Sequence, residues 1–102
     1  MNSPSRRSYS LSEVRRLVEG WEADTARKGV FGNPLLLLCK HADLQRTLPR
    51  LSYKEREAVF VCGIAGLPVR AAEVFLGDSY ATVWRRYNRA LEKLTTYMNG
   101  DR

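Results

Sequence analysis

Histidine, cysteine and long apolar runs are scarce in this chain, and each shortage argues against a class of function. The 102 residues include one histidine and two cysteines. His41 stands two positions after Cys39, too close along a helix for both to bind one tetrahedral metal ion easily, and no second pair exists. The glycines form no GxxxxGK phosphate loop. We therefore expect a protein that is not an enzyme and that has no metal or other cofactor.

Nothing in the sequence predicts a membrane segment. The longest apolar run, Leu35 to Cys39, has five residues, whereas about 20 are needed to cross a bilayer. The first ten residues carry two arginines with no apolar stretch behind them, so they do not predict a secretory signal. Cys39 and Cys62 are far apart in apolar surroundings, which favours reduced thiols over a disulfide. We expect a cytoplasmic protein.

Acidic residues are the other deficit. Eleven Asp and Glu face 17 Lys and Arg, which leaves a formal charge of +6 at pH 7. Such an excess favours a polyanionic partner, either nucleic acid or an acidic protein or membrane surface, although it also serves solubility alone. The placement of the cations along the chain distinguishes these interpretations.

Apolar residues recur at helical spacing and predict an all-α fold of about five helices. Two capping boxes, Ser10 with Glu13 and Ser52 with Glu55, mark helix starts. We expect a disordered tail over residues 1–9 and a single helical domain over residues 10–102, with an N-terminal helical pair at 10–48 and a C-terminal unit at 49–99. The expected helices are Leu11–Lys28, Pro34–Thr47, Tyr53–Ala65, Val69–Leu76 and a last helix from residue 80 to Met98.

The same spacing predicts which side chains face the core. They are Leu11, Val14, Leu17, Val18, Trp21 and Thr25 in the first helix, Ala58, Val59, Phe60 and Cys62 in the third, Ala72, Phe75 and Leu76 in the fourth, and Val83, Tyr87, Ala90, Leu94 and Met98 in the last, with Leu91 at the edge of that stripe.

The segment from Leu67 to Leu94 carries the functional signal. A short helix ends at Leu76-Gly77, Asp78-Ser79 makes a tight corner, and a longer basic helix begins at once. Two helices joined by about three to four residues, the second rich in side chains for phosphates and base edges, are typical of a DNA-binding helix-turn-helix. The alternative is a solvated basic face on an ordinary packing helix.

The outer face of the last helix suits the major groove. Arginine donates two hydrogen bonds to guanine, asparagine pairs with adenine, and a small alanine permits close approach or touches a thymine methyl, which predicts roles for Arg85, Asn88 and Ala81. Flanking cations, Arg86 and Lys93, would meet phosphates, and so would the positive end of the helix dipole at Ser79.

Several short motifs are spaced as in a known family. They are Leu48-Pro49, Glu55 to Phe60, Gly66-Leu67-Pro68, Leu76-Gly77, Ser79, Thr82-Val83 and Arg89 to Leu94. With this spacing Leu48 to Leu94, about half of the chain, resembles region 4 of bacterial sigma factors and the wider class of sigma-like helix-turn-helix regulators. The resemblance implies a unit that reads a promoter −35 element in the major groove and docks on a flap of RNA polymerase.

The resemblance also implies four base-reading positions, which are Tyr80, Ala81, Trp84 and Arg85. Two of them are aromatic here, where the family usually has polar residues. One departure concerns the corner: Glu73 stands where the family usually has a small alanine, which predicts a rotated fourth helix or a wider corner. Trp84 stacks on a sugar or base in one interpretation and packs against Leu91 or a partner in the other. The full base-reading set expected is Tyr80, Ala81, Trp84, Arg85 and Asn88, and the phosphate-binding set is Arg70, Ser79, Thr82, Arg86, Arg89 and Lys93.

Size and resemblance together suggest a stand-alone regulator of the kind common in phages and mobile elements, because 102 residues leave no room for the sigma regions that recognise the −10 element. The expected partners are double-stranded DNA and, by resemblance, RNA polymerase. Trp21 and the run Leu35–Leu38, apolar on all sides, suggest a homodimer. Two alternatives stay open: a protein-interaction module that binds RNA polymerase or another acidic partner without reading DNA, and a DNA-packaging or recombination accessory.

Overall fold

The computed structural model describes residues 8–23 and 34–100, and for residues 34–38 it describes the backbone alone. Over these residues the fold is entirely helical, as expected, with no strand. The helices are α1 Leu11–Glu19, α2 (described at 21–23), α3 Pro34–Thr47, α4 Tyr53–Ala58, α5 Val69–Leu76 and α6 Tyr80–Met98. A 3₁₀ turn, Leu48–Arg50, precedes α4, and a π-helical segment, Val59–Ile64, follows it.

Both predicted capping boxes are present. The N–H of Glu13 donates to Ser10 Oγ at 3.1 Å, and the N–H of Ser10 donates to Glu13 Oε1 at 3.1 Å. Ser52 and Glu55 make the same exchange at the start of α4, at 2.9 and 3.2 Å. Each box satisfies N–H groups that a helix start leaves unpaired, and such a cap contributes about 1 kcal/mol.

The first helix is shorter than expected. α1 ends at Glu19, and Gly20 caps it by donating its N–H to Arg16 O at 2.8 Å before helical structure resumes at residue 21. Glycine is about 1 kcal/mol less favourable than alanine inside a helix, so ending the helix at Gly20 loses little helical stability. The expectation that Leu11 faces the core is wrong, since it is 40% exposed. Residues 24–28 of the expected helix and 1–7 of the expected tail lie outside the described residues.

The third expected helix, Tyr53–Ala65, is not α-helical throughout. From Val59 onward the chain winds as a π-helix, and the N–H of Ala65 donates to Phe60 O at 2.7 Å. The wider turn rotates the residues that follow relative to an α-helix. As a result Val61 is buried, whereas Phe60, expected inside, is 56% exposed.

Gly63 in the π-helical segment permits a close approach of three elements. A Cβ at this position would lie 2.2 Å from Val18 Cγ1 and 2.9 Å from the Tyr87 hydroxyl. A Cβ essentially never lies this close to an atom to which it is not bonded, so a glycine is what allows α1 and α6 to pack here.

Helix α6 runs through the core, where α1, α3, α4, α5 and the π-helical segment all contact it. The stripe predicted on this helix is confirmed, and its buried residues are Val83, Tyr87, Ala90, Leu91, Leu94 and Met98. The same core cluster contains Val14 from α1, Leu44 from α3 and Val59. The two halves of the chain therefore share one core, in which truncating a buried leucine to alanine costs about 2–5 kcal/mol.

Tyr9 belongs to the expected tail but packs in the helical core. It is 5% exposed, its N–H donates to Asn99 Oδ1 at 2.7 Å, and its hydroxyl donates to Asp43 Oδ2 at 2.5 Å. These contacts join the start of α1 to the end of α6 and to α3.

One of the two features that suggested a homodimer has another role. Trp21 is half-buried and packs against the core, with its ring centroid 4.4 Å from that of His41. The other feature, the side chains of Leu35–Leu38, lies outside the described residues.

Candidate nucleic-acid interface

The corner between α5 and α6 sets the position of the last helix. Gly77 ends α5 in the left-handed conformation, with φ 74°, which glycine adopts freely. Ser79 caps α6, because its Oγ accepts the N–H of Thr82 at 3.4 Å. Glu73 adds a second acceptor, since the N–H of Tyr80 donates to Glu73 Oε2 at 3.0 Å. The residue that departs from the sigma pattern therefore places its carboxylate at the positive end of the α6 dipole.

Helix α5 buries little of its surface. Ala72 is buried and Leu76 is half-buried, but Phe75, expected to face the core, is 68% exposed. Val74 beside it is 85% exposed. The prediction for Phe75 is wrong because eight residues make only about two turns, and the face that meets α6 is filled by the small Ala72. Val74 and Phe75 therefore form an exposed apolar pair on α5.

The outer side of α6 forms an open groove. Its lining residues are Tyr80, Ala81, Trp84, Arg85, Asn88, Arg89 and Glu92. All five residues expected to read bases are among them, so the structure brings that set together. The lining mixes aromatic surface with arginine and amide groups, which is the combination that contacts base edges in a groove.

Arg85 and Arg89 are free charges on this surface. Both are exposed, and within the described ranges neither has an ion-pair or hydrogen-bond partner. They also line a second groove on the α4 side of the helix, whose lining is Ser52, Lys54, Glu55, Thr82, Arg85, Arg86 and Arg89. The four cations there give the second groove an excess of positive charge, which suits a phosphate. Lys54 was not predicted, because its charge joins this site only through the packing of α4 beside α6.

Two expected phosphate contacts are already paired within the protein. Arg86 Nη1 lies 3.1 Å from Asp78 Oδ2, and Lys93 Nζ lies 2.7 Å from Glu55 Oε2. Burial raises the pKa of the Glu55 carboxyl, but hydrogen bonds from Lys93 and Ser52 outweigh this and hold the pKa below its ordinary value. Glu55 is therefore an ionised partner that keeps Lys93 against α4.

Of the remaining expected phosphate contacts, Thr82 lines the second groove, whereas Ser79 and Arg70 line neither groove. Ser79 is the N-cap of α6 and Thr82 lies in its first turn, with their hydroxyl oxygens 3.0 Å apart. Arg70 is exposed on α5 and is not among the lining residues of either groove.

Helix α1 contacts α6 beside Trp84. Arg15 Nη2 donates to Asn88 Oδ1 at 2.6 Å, and its guanidinium carbon lies 5.9 Å from the Trp84 ring centroid and 5.7 Å from that of Tyr87. Glu19 pairs with Arg15 at 3.4 Å and accepts the Tyr87 hydroxyl at 2.9 Å. Burial and the Glu19 carboxylate raise the pKa of Tyr87, so its hydroxyl remains a donor.

Asn88 is consequently engaged on both sides of its amide. Its oxygen accepts from Arg15, and its Nδ2 donates to the backbone oxygen of Trp84 at 2.8 Å. No local signal predicts this, since Arg15 and Asn88 are 73 residues apart. Trp84 stacks on Tyr80 with centroids 6.0 Å apart and an interplanar angle of 23°, and 41% of it stays exposed.

Other kinds of site find little support in the described part of the chain. Within it, no three histidine, cysteine, aspartate or glutamate side chains cluster as metal ligands would. Both cysteines are half-buried free thiols, and burial raises the pKa of Cys62. None of the described helices has the length and apolar character needed to cross a membrane. The chain matches no family model, no curated protein and no solved structure with which it was compared.

Proposed function

We propose that the protein is a sequence-specific transcriptional regulator that inserts α6 into the major groove of double-stranded DNA. One observation carries the proposal: Arg85 and Arg89 are exposed on the outer face of α6, and no acidic side chain among the described residues pairs with them. Arginine makes the commonest specific contact to guanine in the major groove, and its planar fork also fits a phosphate.

The order of the helices supports the same role. α5 and α6 are joined by residues 77–79, with a short helix before the corner and a long one after it. In a helix-turn-helix the second helix enters the groove by its N-terminal turns and the first crosses the backbone. The major groove is about 12 Å wide and admits one α-helix, so the open outer side of α6 fits it.

Intramolecular contacts divide the expected DNA-binding residues. We assign base reading to Ala81, Trp84 and Arg85, whose outer surfaces are open, and phosphate binding to Arg89 and Lys54. Tyr80 stays in the base-reading set, because it lies at the first turn of α6 and lines the same groove.

Three other residues have a different role in the proposal. Asn88 positions the surface through Arg15, and Arg86 and Lys93 hold the corner and α4 through their acidic partners. These residues would reach DNA only by giving up contacts they already have.

A second contact, with a protein, is supported by α5. Val74 and Phe75 are largely exposed there, outside both grooves of α6. The resemblance to sigma region 4 implies docking on RNA polymerase, and this apolar surface offers a place for it. The alternative is a module that binds RNA polymerase or another acidic protein without DNA. It would use the same apolar surface of α5, but it gives the exposed arginines of α6 no role in reading DNA.

Fluorescence anisotropy with a labelled random duplex tests DNA binding. Neutralising the two phosphates assigned to Arg89 and Lys54 gives a log–log salt slope of about −2, at about −0.9 per contact on B-form DNA. Absence of binding at low salt would contradict the proposal and favour the protein-interaction module.

Selection of bound duplexes from random DNA then supplies a preferred site for testing Arg85. Arg85→Ala should weaken binding at that site by about 1–3 kcal/mol and weaken binding to random DNA much less, because a base contact is lost. Arg16→Ala is the matched control, since Arg16 is exposed on α1 and lines neither groove. Equal losses on selected and random DNA would remove Arg85 from base reading.

A further inference from the structure

We infer that Trp84 recognises the 5-methyl group of thymine in the major groove. The inference rests on the proposed function and specifies what part of the DNA one side chain reads. Trp84 lines the same groove as Arg85 and Ala81, so its exposed surface lies among the groups assigned to base edges. It is 41% exposed, although three neighbouring side chains contact its ring.

Those neighbours hold the indole in place. Tyr80, one turn before Trp84, stacks on it at 6.0 Å, and Tyr87, one turn after, lies 5.5 Å away at 50°. Arg15 reaches over the ring from α1 at 5.9 Å. Since these contacts already restrain the ring in the free protein, DNA binding loses less side-chain entropy in fixing it. The exposed part is therefore a fixed apolar surface.

Base edges in the major groove offer this surface one matching group. Guanine, adenine and cytosine present hydrogen-bond donors and acceptors there, whereas thymine adds a methyl group. An apolar ring beside Arg85 would desolvate the polar edges without replacing their hydrogen bonds, but it gains contact area against a methyl. Stacking on an unpaired base is less well supported, because Tyr80 and Arg15 already lie over the ring.

Deoxyuridine provides a direct test, because it differs from thymidine only by that methyl group. A duplex selected from random DNA is prepared with each thymine replaced singly by deoxyuridine, and binding is measured by anisotropy. At one or more positions the wild-type protein should lose about fourfold in affinity, as expected for one buried methyl of about 0.8 kcal/mol at 1.4 kcal/mol per tenfold. Trp84→Ala should bind the two duplexes equally at that position.

Two further variants complete the comparison. Trp84→Phe keeps a smaller ring and should retain part of the discrimination. Phe60→Ala removes an aromatic ring that is 56% exposed away from this groove, and it should discriminate as the wild type does. The inference is overturned if no thymine position senses the methyl group, if the selected site contains no thymine, or if Trp84→Ala discriminates like the wild type. Failure of the proposed function gives a different result, namely no salt-dependent binding to either duplex.

Discussion

Lys93→Ala and Arg89→Ala distinguish a cation that stabilises the fold from one that we propose binds DNA. The two residues lie four positions apart on α6, and both are expected from sequence to contact phosphate. In the structure Lys93 pairs with Glu55, while Arg89 has no partner among the described residues. The two substitutions remove the same charge, so any difference between them reports on the contacts.

The expected loss for Lys93→Ala follows from the geometry of its ion pair. Its Nζ lies 2.7 Å from a Glu55 carboxylate that is 9% exposed, whereas the lysine side chain is 44% exposed. A hydrogen bond to a charged group contributes about 1.5–3 kcal/mol, and solvation of the exposed lysine reduces this value. We therefore expect the free energy of unfolding to fall by about 1–2 kcal/mol, or roughly 4–16 °C in Tm.

The stability lost in Lys93→Ala should depend on pH. The pKa of Glu55 in the folded protein lies below its ordinary value of 4.5, so its partners stabilise the ionised carboxylate. That stabilisation is fully present above the unfolded-state pKa and is lost as the pH falls through the folded-state pKa. Urea denaturation should therefore show a difference between wild type and Lys93→Ala at pH 7 that shrinks in acid.

The salt dependence of DNA binding should distinguish the same two variants. Arg89→Ala should flatten the log–log slope by about 0.9 and leave stability within about 0.5 kcal/mol of wild type. Lys93→Ala should leave the slope unchanged. The reasoning is refuted if Lys93→Ala has wild-type stability and a slope flattened by about 0.9, because Lys93 would then bind phosphate rather than Glu55.

Three further substitutions test the packing and the corner by urea denaturation. Gly63→Ala places a Cβ 2.2 Å from Val18 Cγ1 and should cost about 1–3 kcal/mol by overpacking; unchanged stability would show that α1 does not approach the π-helical segment. Gly77→Ala meets no atom within 4 Å but has φ +74°, so strain alone should cost about 1–2 kcal/mol, and a wild-type transition would argue against the left-handed corner. Ser79→Ala removes the N-cap of α6 and should cost about 1 kcal/mol, most of which Ser79→Asp should restore; equal losses in both variants would exclude capping.

Features that depend on neighbouring residues were predictable. The capping boxes at Ser10 and Ser52 and the end of α5 at Gly77 each need only three or four consecutive residues, and all are present. The buried stripe of α6 follows from its period alone. Within the candidate site, the base-reading residues expected from the outer face of α6 and from the resemblance all line one groove.

Features that depend on packing between distant segments were not predictable. In the π-helical segment Phe60 is exposed. No local spacing rule predicts this segment, because another of its residues, Gly63, packs against Val18, which lies 45 residues earlier in the sequence. The pairing of Lys93 with Glu55 spans two helices. A charge pattern shows where cations occur along the chain, but the structure is needed to show which of them are already paired.

If the protein binds DNA as proposed, the contacts from Arg15 to Asn88 and Trp84 couple the docking of α1 to that binding. If DNA binding favours the conformation in which Trp84 and Asn88 are held by Arg15, it must favour the docking of α1 by the same free energy, because such coupling is reciprocal. We therefore expect hydrogen exchange in α1 to slow when DNA binds, even though none of its residues lines either groove of α6. A ligand or partner that pulled α1 away would weaken DNA binding without touching the DNA.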